Sequence, residues 1–305
     1  MTTLALDIGA TKIAVALMSP EHVVLDRRQI PSNVSTDIWV ELAPLIKKFN
    51  PTHIGIASAG PIDIQNGTIS PVNIPQWRSF PIVALLNEIF GHIPIALLGD
   101  CTAVALAENK LGAGLGSKNM LGVVVSTGIG GGLVLGGKAF HGETGNAALF
   151  GHHSISFSYG NLAAVKCDCG RTGCLETFAR GPKMVEYAKS KGWNEGNDFI
   201  ALANSARNND SVALEAIDVG THALAVGITN VLNITDIHKV VIGGGVSFAG
   251  DVFWQPFLKH FEIEKSYAGF LNHVDVLPAK LREDAGLVGA SLFAAETDKI
   301  DSDNV

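Results

Sequence analysis

The chain has 305 residues, of which 47% are hydrophobic and 17% charged, a composition typical of folded globular proteins rather than of disordered ones. Its 22 basic and 29 acidic residues give a formal net charge of −7, which disfavours binding to nucleic acid or to anionic membranes. The length predicts two domains. Because neither a basic leader nor an unbroken apolar span is apparent, we expect a soluble, cytoplasmic protein.

Apolar runs that end at glycines predict alternating strands and helices, which is typical of α/β proteins. Strands are predicted over 4–8, 13–18, 53–57 and 93–98, followed by an alanine- and leucine-rich helix over 102–111. Further strands are predicted over 121–126, 133–135 and 239–242, and helices over 210–232 and 286–295. The order strand, glycine turn, strand therefore occurs at the start of two parts of the chain, once near residue 10 and once near residue 130.

The first glycine turn follows the first strand and contains Asp7, Gly9, Thr11 and Lys12. A tight turn between two strands points successive backbone N–H groups into one concavity, which binds anions. Gly9 permits close approach of a phosphate, the Thr11 hydroxyl can donate to a phosphate oxygen, and Asp7 can hold Mg²⁺ through water.

Two more glycine turns follow at 126–132 and 243–245. Their candidate nucleotide-binding residues are Thr127, Gly128, Gly130, Gly131, Gly132, Gly244 and Gly245. A single turn of this kind is more often an ordinary hairpin, but three in this order favour a nucleotide site. The patterns of a P-loop and of a Rossmann dinucleotide site are both missing from the sequence.

Three of the four cysteines, Cys167, Cys169 and Cys174, are clustered beside Gly170 and Gly173. The glycines let the backbone turn three thiolates towards one point, and a fourth ligand would complete a closed tetrahedral zinc site. The alternative, three reduced thiols packed as small apolar groups, is disfavoured because this polar, glycine-rich segment makes a poor core.

Asp100 ends a predicted buried strand and opens the predicted helix. A helix N-terminus near the surface stabilises a carboxylate by ~0.3–1 kcal/mol, so we expect Asp100 to be ionised and able to accept a proton from a hydroxyl. The alternative is that Asp100 only caps the helix.

These motifs together resemble the actin–hexokinase type of ATPase and, more narrowly, the ROK family of sugar kinases and repressors. The resemblance covers nearly the whole chain, and the cysteine segment is its most specific part. Its motifs are Asp100 and the segments 7–12, 73–77, 127–132 continuing to Gly151-His152, 167–176 and 284–290.

The resemblance implies a two-domain α/β fold of the actin/hexokinase (ribonuclease H-like) type with a cleft between the domains. Residues 1–112, completed by a C-terminal helix over 290–305, would form the first domain, and residues 113–289 the larger second domain. It also implies a homodimer that uses ATP and Mg²⁺ to phosphorylate a sugar hydroxyl, with Asp100 as the catalytic base.

The resemblance further implies that Asn73, Asp100, His152 and Glu176 contact the sugar, and that His152 completes the zinc site. By themselves Asn73 would be a turn residue and Glu176 a solvated helix residue. Because Cys167 follows His152 by 15 residues, a longer interval than the family usually has, His153 is an alternative ligand.

Within the family, the opening of the chain and the segments 126–128 and 169–174 are most similar to bacterial N-acetylmannosamine kinases. This implies phosphorylation of N-acetyl-D-mannosamine at its 6-position in sialic acid catabolism. However, Gly99 replaces the usual asparagine before the catalytic base, and Leu149 replaces a polar residue, usually glutamate. Loss of a polar sugar contact can change substrate choice by orders of magnitude, so glucose, N-acetylglucosamine and other hexoses stay open.

The second class of function is a sugar-sensing regulator. Repressors of the family carry a helix-turn-helix before the first phosphate turn, and we do not expect one here because that turn begins at Asp7. A sugar-binding protein with impaired catalysis is the other alternative, given Gly99 and Leu149.

Overall fold

A computed structural model describes residues 2–9, 11–32, 37–156, 165–267 and 269–302. Ala10 of the first glycine turn and residues 303–305 of the predicted C-terminal helix lie outside these ranges. The chain forms two compact units. The first comprises Met1–Lys118, Gly132–Ala148 and Leu281–Val305, and the second comprises Asn119–Gly131 and Leu149–Lys280.

Strands and helices alternate along the described residues, which confirms the predicted α/β class. The strands are β1 (Thr3–Ile8), β2 (Lys12–Met18), β3 (Val24–Pro31), β4 (His53–Ser58), β5 (Ile62–Asp63), β6 (Thr68–Ile69), β7 (Ile95–Gly99), β8 (Met120–Val125), β9 (Ile129–Leu135), β10 (Lys138–Phe140), β11 (Lys239–Gly243) and β12 (Asp275–Pro278). The α-helices are α1 (Ile38–Ile46), α2 (Ile82–Phe90), α3 (Asp100–Leu111), α4 (Glu176–Ala179), α5 (Gly181–Ser190), α6 (Phe199–Arg207), α7 (Ser211–Thr235), α8 (Asp251–Tyr267) and α9 (Ala285–Ser302).

A five-stranded sheet with the order β3-β2-β1-β4-β7 forms the centre of the first unit. The β1, β4 and β7 strands are parallel, while β2 and β3 return antiparallel beside β1. In this register Asp7 is level with Ala57, and Ala57 with Leu98. The carboxyl ends of β1 and β7, with Asp7 and Asp100, therefore lie at the same edge of the sheet.

The two faces of this sheet carry different side chains. One face packs large aliphatic residues such as Leu6 and Ile56 against α1 and α2. The other face carries small residues, including Ala5, Ala16 and Ala57, and packs against α3 and α9. Small side chains let helices approach a sheet closely, so this face places the beginnings of α3 and α9 near the strand ends.

Two glycines show how close this approach is. A Cβ on Gly55 of β4 would overlap the carbonyl group of Ala290 in α9, and a Cβ on Gly289 would overlap the carbonyl group of Ala103 in α3. A larger residue at either position would push the packed elements apart, because a dense core has no space for the added atoms.

The second sheet has the order β10-β9-β8-β11-β12, and the division between the two units falls within β9. In the second unit β8, β11 and β12 are parallel, and the long helix α7 contacts α4, α5, α6 and α8. By length and composition α7 is the one described helix that could cross a membrane, but 67% of its most apolar window is buried within the chain.

The two units differ from the predicted domains in three segments. Residues 113–118, 132–148 and 281–289 belong to the first unit. Gly114 donates to the Glu108 carbonyl group and the Asn109 side chain donates to Ser117, which keeps the segment after α3 with that helix. A Cβ on Gly132 would overlap atoms of α3, so the segment that begins at Gly132 packs closely on the first unit. Residues 281–289 belong to this unit because α9, which begins at Ala285, is one continuous helix that packs on the first sheet.

The second glycine turn is shorter than predicted. Only Ser126, Thr127 and Gly128 form the turn, because β9 begins at Ile129 and includes Gly130, Gly131 and Gly132. Close packing against α3 requires a glycine at position 132, which is a reason for this residue that is independent of phosphate binding.

Candidate active site

Asp7 and Asp100 come together at the carboxyl edge of the first sheet, where two helices also begin. Asp100 is the first residue of α3, after Gly99 in the N-cap position. The Asp7 carboxylate lies against Gly286 in the first turn of α9, close enough that a Cβ on this glycine would overlap it. The arrangement places two carboxylates near the positive ends of two helix dipoles.

The Asp7 carboxyl has a pKa raised from 3.8 to about 7. Burial is the main cause, because it disfavours the charged form, and the nearby Asp100 charge acts in the same direction. Lys12 and Arg27 oppose this increase. A further cation near Asp7 would therefore be bound favourably by this pair of carboxylates.

Asp100 accepts a hydrogen bond from the backbone N–H of Cys101, with 2.7 Å between the nitrogen and Oδ1. Burial raises the pKa of Asp100, and this effect exceeds that of the backbone N–H groups. This burial depends on packing by distant segments, so it could not be predicted from the helix terminus alone. Gly99 occupies the N-cap position and Asp100 is the first residue of the helix, but the Asp100 side chain still accepts from a first-turn N–H, so the capping alternative stays open.

The first glycine turn is closed by a hydrogen bond from the Gly9 N–H to the Lys12 carbonyl oxygen, 3.0 Å long. The Thr11 side chain is exposed, and its carbonyl oxygen accepts from Ser32. The turn thus places Thr11 and Lys12 next to the carboxyl end of β1, and the charge of Lys12 is close enough to lower the pKa of Asp7.

Asn73 lies in an exposed turn of the first unit. Arg78 holds this turn, since its guanidinium donates to the carbonyl oxygens of Pro71, Val72 and Ile74 at 2.6, 3.1 and 3.2 Å. Arg78 was not predicted as a site residue, because an arginine that bonds the carbonyl groups of the preceding turn has no recognisable sequence motif.

In the second unit the second and third glycine turns are neighbours. Strands β8 and β11 are parallel and adjacent, and Gly244 has a left-handed φ of 89° that lets its backbone pass over Val125. The Val246 N–H donates to the Val125 carbonyl oxygen at 3.1 Å. Thr127 and Gly128 therefore lie near Gly244 and Gly245, as two parts of one nucleotide site would.

The predicted zinc ligands converge in the second unit. Ligand atoms of His152, Cys167, Cys169 and Cys174 all lie within 4.8 Å of one another. The Sγ atoms of Cys169 and Cys174 are 3.5 Å apart, and Cys167 Sγ is 3.6 Å from Nδ1 of His152. Tetrahedral bonds of about 2.3 Å to sulfur and about 2.0 Å to nitrogen require edges of about 3.5–3.8 Å, so the four ligands fit zinc.

The thiols of this cluster differ in acidity. Burial raises the pKa values of Cys167 and Cys174, whereas the backbone N–H of Arg171 lowers the pKa of the exposed Cys169. Zinc needs thiolates as ligands, so its binding has to displace protons from the two buried thiols.

His153 is directed away from the cluster. Its Nδ1 contacts the carbonyl oxygen of Phe150, and its ring packs against the Phe150 ring with 5.1 Å between centroids. Burial lowers its pKa. Of the two adjacent histidines, His152 is therefore the one positioned beside the thiols.

Glu176, the first residue of α4, is buried rather than solvated. Its Oε1 is 3.3 Å from Cys167 Sγ and 3.4 Å from His152 Nδ1. Its Oε2 lies 3.8 Å from the position of a Cβ on Gly128. Glu176 thus lies between the cysteine cluster and the second glycine turn.

The profile of the ROK family matches residues 3–297. The chain belongs to the ROK family. This ROK protein is 35% identical over 302 residues to the N-acetylmannosamine kinase of Shigella boydii, covering 96% of this chain and 98% of that protein. It is 32% identical over 311 residues to the glucokinase of Halalkalibacterium halodurans, covering 93% and 92%. The sequence identities therefore do not separate the two substrates.

The fold of this ROK protein is also that of solved family members. It superimposes on a ROK hexokinase from Thermus thermophilus with a TM-score of 0.84 and 30% identity, covering 98% of this chain and 99% of that one. The predicted actin/hexokinase type of fold is thereby confirmed.

The raised pKa of Asp7 predicts a pH-dependent effect of replacing it. A carboxyl whose pKa is about 7 in the folded protein and near 3.8 when unfolded stabilises the fold below about pH 4, and this contribution is lost as the pH rises through 7. Asp7→Asn should therefore stabilise the protein at pH 8 by up to about 4 kcal/mol, at about 1.4 kcal/mol per pKa unit, and by much less at pH 4.5.

Thermal unfolding at both pH values, without nucleotide or Mg²⁺, measures this difference. The exposed Asp251→Asn is the matched control and should show no pH-dependent gain. An equal effect of Asp7→Asn at both pH values would show that the carboxyl is not destabilised by its burial.

Proposed function

We propose that this ROK protein is an ATP-dependent kinase that transfers the γ-phosphate to the 6-hydroxyl of a hexose, with N-acetyl-D-mannosamine as the first candidate. The observation that carries this proposal is the pair of carboxylates at one sheet edge. Asp100 lies at the start of α3 beside Asp7, in a chain that belongs to a family containing sugar kinases.

Asp100 would be the catalytic base. Transfer of a phosphoryl group to an alcohol needs an acceptor for the hydroxyl proton, and a carboxylate is a better acceptor when its pKa is raised towards the working pH. Burial raises the pKa of Asp100 in this direction. Its position at the first turn of a helix still favours the ionised form that accepts the proton.

Each unit carries its own candidate residues for the nucleotide. In the first unit, Asp7 would hold Mg²⁺ through water, and Mg²⁺ would relieve the repulsion between Asp7 and Asp100. The turn donors would bind phosphate oxygens. The proposed nucleotide-binding residues are Gly9, Thr11, Lys12, Thr127, Gly128, Gly130, Gly131, Gly132, Gly244 and Gly245.

His152, Cys167, Cys169 and Cys174 would hold a structural zinc ion. All four positions of the tetrahedron are taken by protein ligands, so a bound zinc ion would supply a cross-link between chain segments and no Lewis acid for the reaction. This cross-link would fix the loop that carries His152 and Glu176.

Asn73, Asp100, His152 and Glu176 would contact the sugar. Leu149, which is 51% exposed, lines a cleft of about 350 Å³ together with His152, His153, Cys169 and Arg171. A leucine offers no hydrogen bond to a hydroxyl, so this position does not select one hexose. The choice of N-acetylmannosamine as first candidate is supported by the similarity to N-acetylmannosamine kinases.

A second candidate is a sugar-binding protein with little turnover, because Gly99 and Leu149 both lack polar side chains. We also expect a cytoplasmic homodimer that acts in sialic acid catabolism, on the basis of the family. Sedimentation as a monomer would contradict the dimer.

The proposed reaction predicts ADP release that depends on one sugar. With Mg²⁺-ATP and a panel of N-acetylmannosamine, N-acetylglucosamine, glucose, mannose and fructose, we expect turnover to be strongest with N-acetylmannosamine. Asp100→Asn should lower kcat by about 10²–10⁴-fold because the proton acceptor is lost.

The Asp251→Asn variant, which lacks an exposed carboxylate of α8, should release ADP at the same rate as the wild type. Preference for glucose would correct the substrate but retain the kinase. Sugar binding without turnover on any member of the panel would favour the second candidate.

The ligand geometry predicts one zinc ion per chain and distinguishes the two adjacent histidines. His152→Ala should lose most of its zinc, because the fourth ligand beside the thiols is removed. His153→Ala should retain it, because that imidazole contacts Phe150 instead. Metal analysis by mass spectrometry after dialysis against a chelator measures both, and the opposite pattern would assign the ligand to His153.

A further inference from the structure

The residue before the proposed zinc ligand His152 packs directly on the second glycine turn. Here the phosphate turn means the turn residues Ser126, Thr127 and Gly128 together with Ile129, the first residue of β9. Gly151 is buried in a short 3₁₀ helix, Phe150–His152, and a Cβ on it would overlap the carbonyl oxygen of Ile129. The backbone of Gly151 is therefore in van der Waals contact with the last peptide of the phosphate turn.

A second segment holds the same turn from its other end. The Gly181 N–H donates to the Ser126 carbonyl oxygen at 3.0 Å, and Glu176 Oε2 lies 3.8 Å from the Cβ position of Gly128. Glu176 and Gly181 lie shortly after Cys174 in the chain, in α4 and at the start of α5. The Thr177 hydroxyl bonds to the Cys174 carbonyl oxygen at 2.7 Å, which fixes α4 to this ligand.

The phosphate turn is thus held between two arms, residues 150–152 and residues 174–181, and each arm contains a zinc ligand. An antiparallel bridge between Ser154 and Cys174 joins the chain segments of the two arms. Leu175 donates to the His153 carbonyl oxygen at 3.0 Å, Ile155 donates to the Gly173 carbonyl oxygen at 2.9 Å, and Cys174 Sγ contacts the His152 carbonyl oxygen at 3.3 Å. A four-coordinate cross-link between His152 and the three cysteines would reinforce this bridge and fix the separation of the arms.

We infer that zinc binding and nucleotide binding are coupled through these two arms. The inference rests on the proposed function, in which the phosphate turn binds the nucleotide. Fixed arms hold Thr127 and Gly128 in the conformation that receives phosphate, whereas arms released from zinc leave this turn free to move. Because coupling between the affinities of two binding sites is reciprocal, bound nucleotide must also tighten the binding of zinc by the same factor.

The first test measures ADP affinity by calorimetry, without sugar, for zinc-replete and zinc-stripped wild-type protein. We expect zinc removal to weaken ADP binding by about tenfold, within the range typical of coupled sites. Equal affinity in the two forms would overturn the coupling and leave the kinase proposal standing. Failure of zinc-replete protein to bind ADP at all would instead contradict the proposed function, and the coupling with it.

A second test keeps the zinc in place, so it holds even if stripped protein unfolds. Gly151→Ala should weaken ADP binding because its Cβ pushes the first arm away from Ile129. Gly269→Ala is the matched control, since a Cβ there meets no atom within 4 Å. Equal ADP affinity of the two variants at full zinc content would contradict the coupling.

The reciprocal measurement is the equilibrium affinity for zinc, titrated in competition with a coloured chelator. Saturating Mg²⁺-ADP should tighten zinc binding to the wild type by the same factor of about ten, and should tighten it much less in Gly151→Ala. The same zinc affinity with and without Mg²⁺-ADP in the wild type would overturn the inference, whatever the activity of the enzyme.

Discussion

Close contact between helices and the alanine-rich face of the first sheet positions the chemistry of that unit. Gly55 and Gly289 let α9 touch β4 and α3 backbone to backbone, and Gly286 in the same helix then lies against the Asp7 carboxylate. Asp100 begins α3 on the same face. Without this contact, neither helix terminus would reach the strand ends where the two carboxylates lie.

The same close approach brings the carboxylates of Asp7 and Asp100 near each other, so their negative charges repel. Burial and the neighbouring Asp100 charge raise the pKa of Asp7 to about 7, so the fold carries a strained electrostatic arrangement that a bound divalent cation would relieve. The proposed kinase reaction would use such a site, which is costly when empty and stabilised by a bound cation.

The sequence predicted the parts of the fold that have a local pattern. The strands before Gly9 and Gly60, the helix after Asp100, and the cysteine cluster all follow from apolar runs, glycines and thiol spacing. It could not predict features that depend on distant packing, such as the role of Gly132 against α3 and the burial that opposes ionisation of Asp100. The family resemblance favoured His152 as the zinc ligand, but residue spacing alone left His153 as an alternative, because the directions of both side chains depend on the 3₁₀ turn that carries His152.

Identification of the product tests the central claim most directly. After incubation with Mg²⁺-ATP and N-acetylmannosamine, phosphorus–proton NMR shows which atom carries the phosphate. A hexose 6-phosphate formed in equal amount with ADP is the predicted result. Inorganic phosphate as the only phosphorylated product besides ADP, with any sugar, would contradict phosphoryl transfer to a hexose.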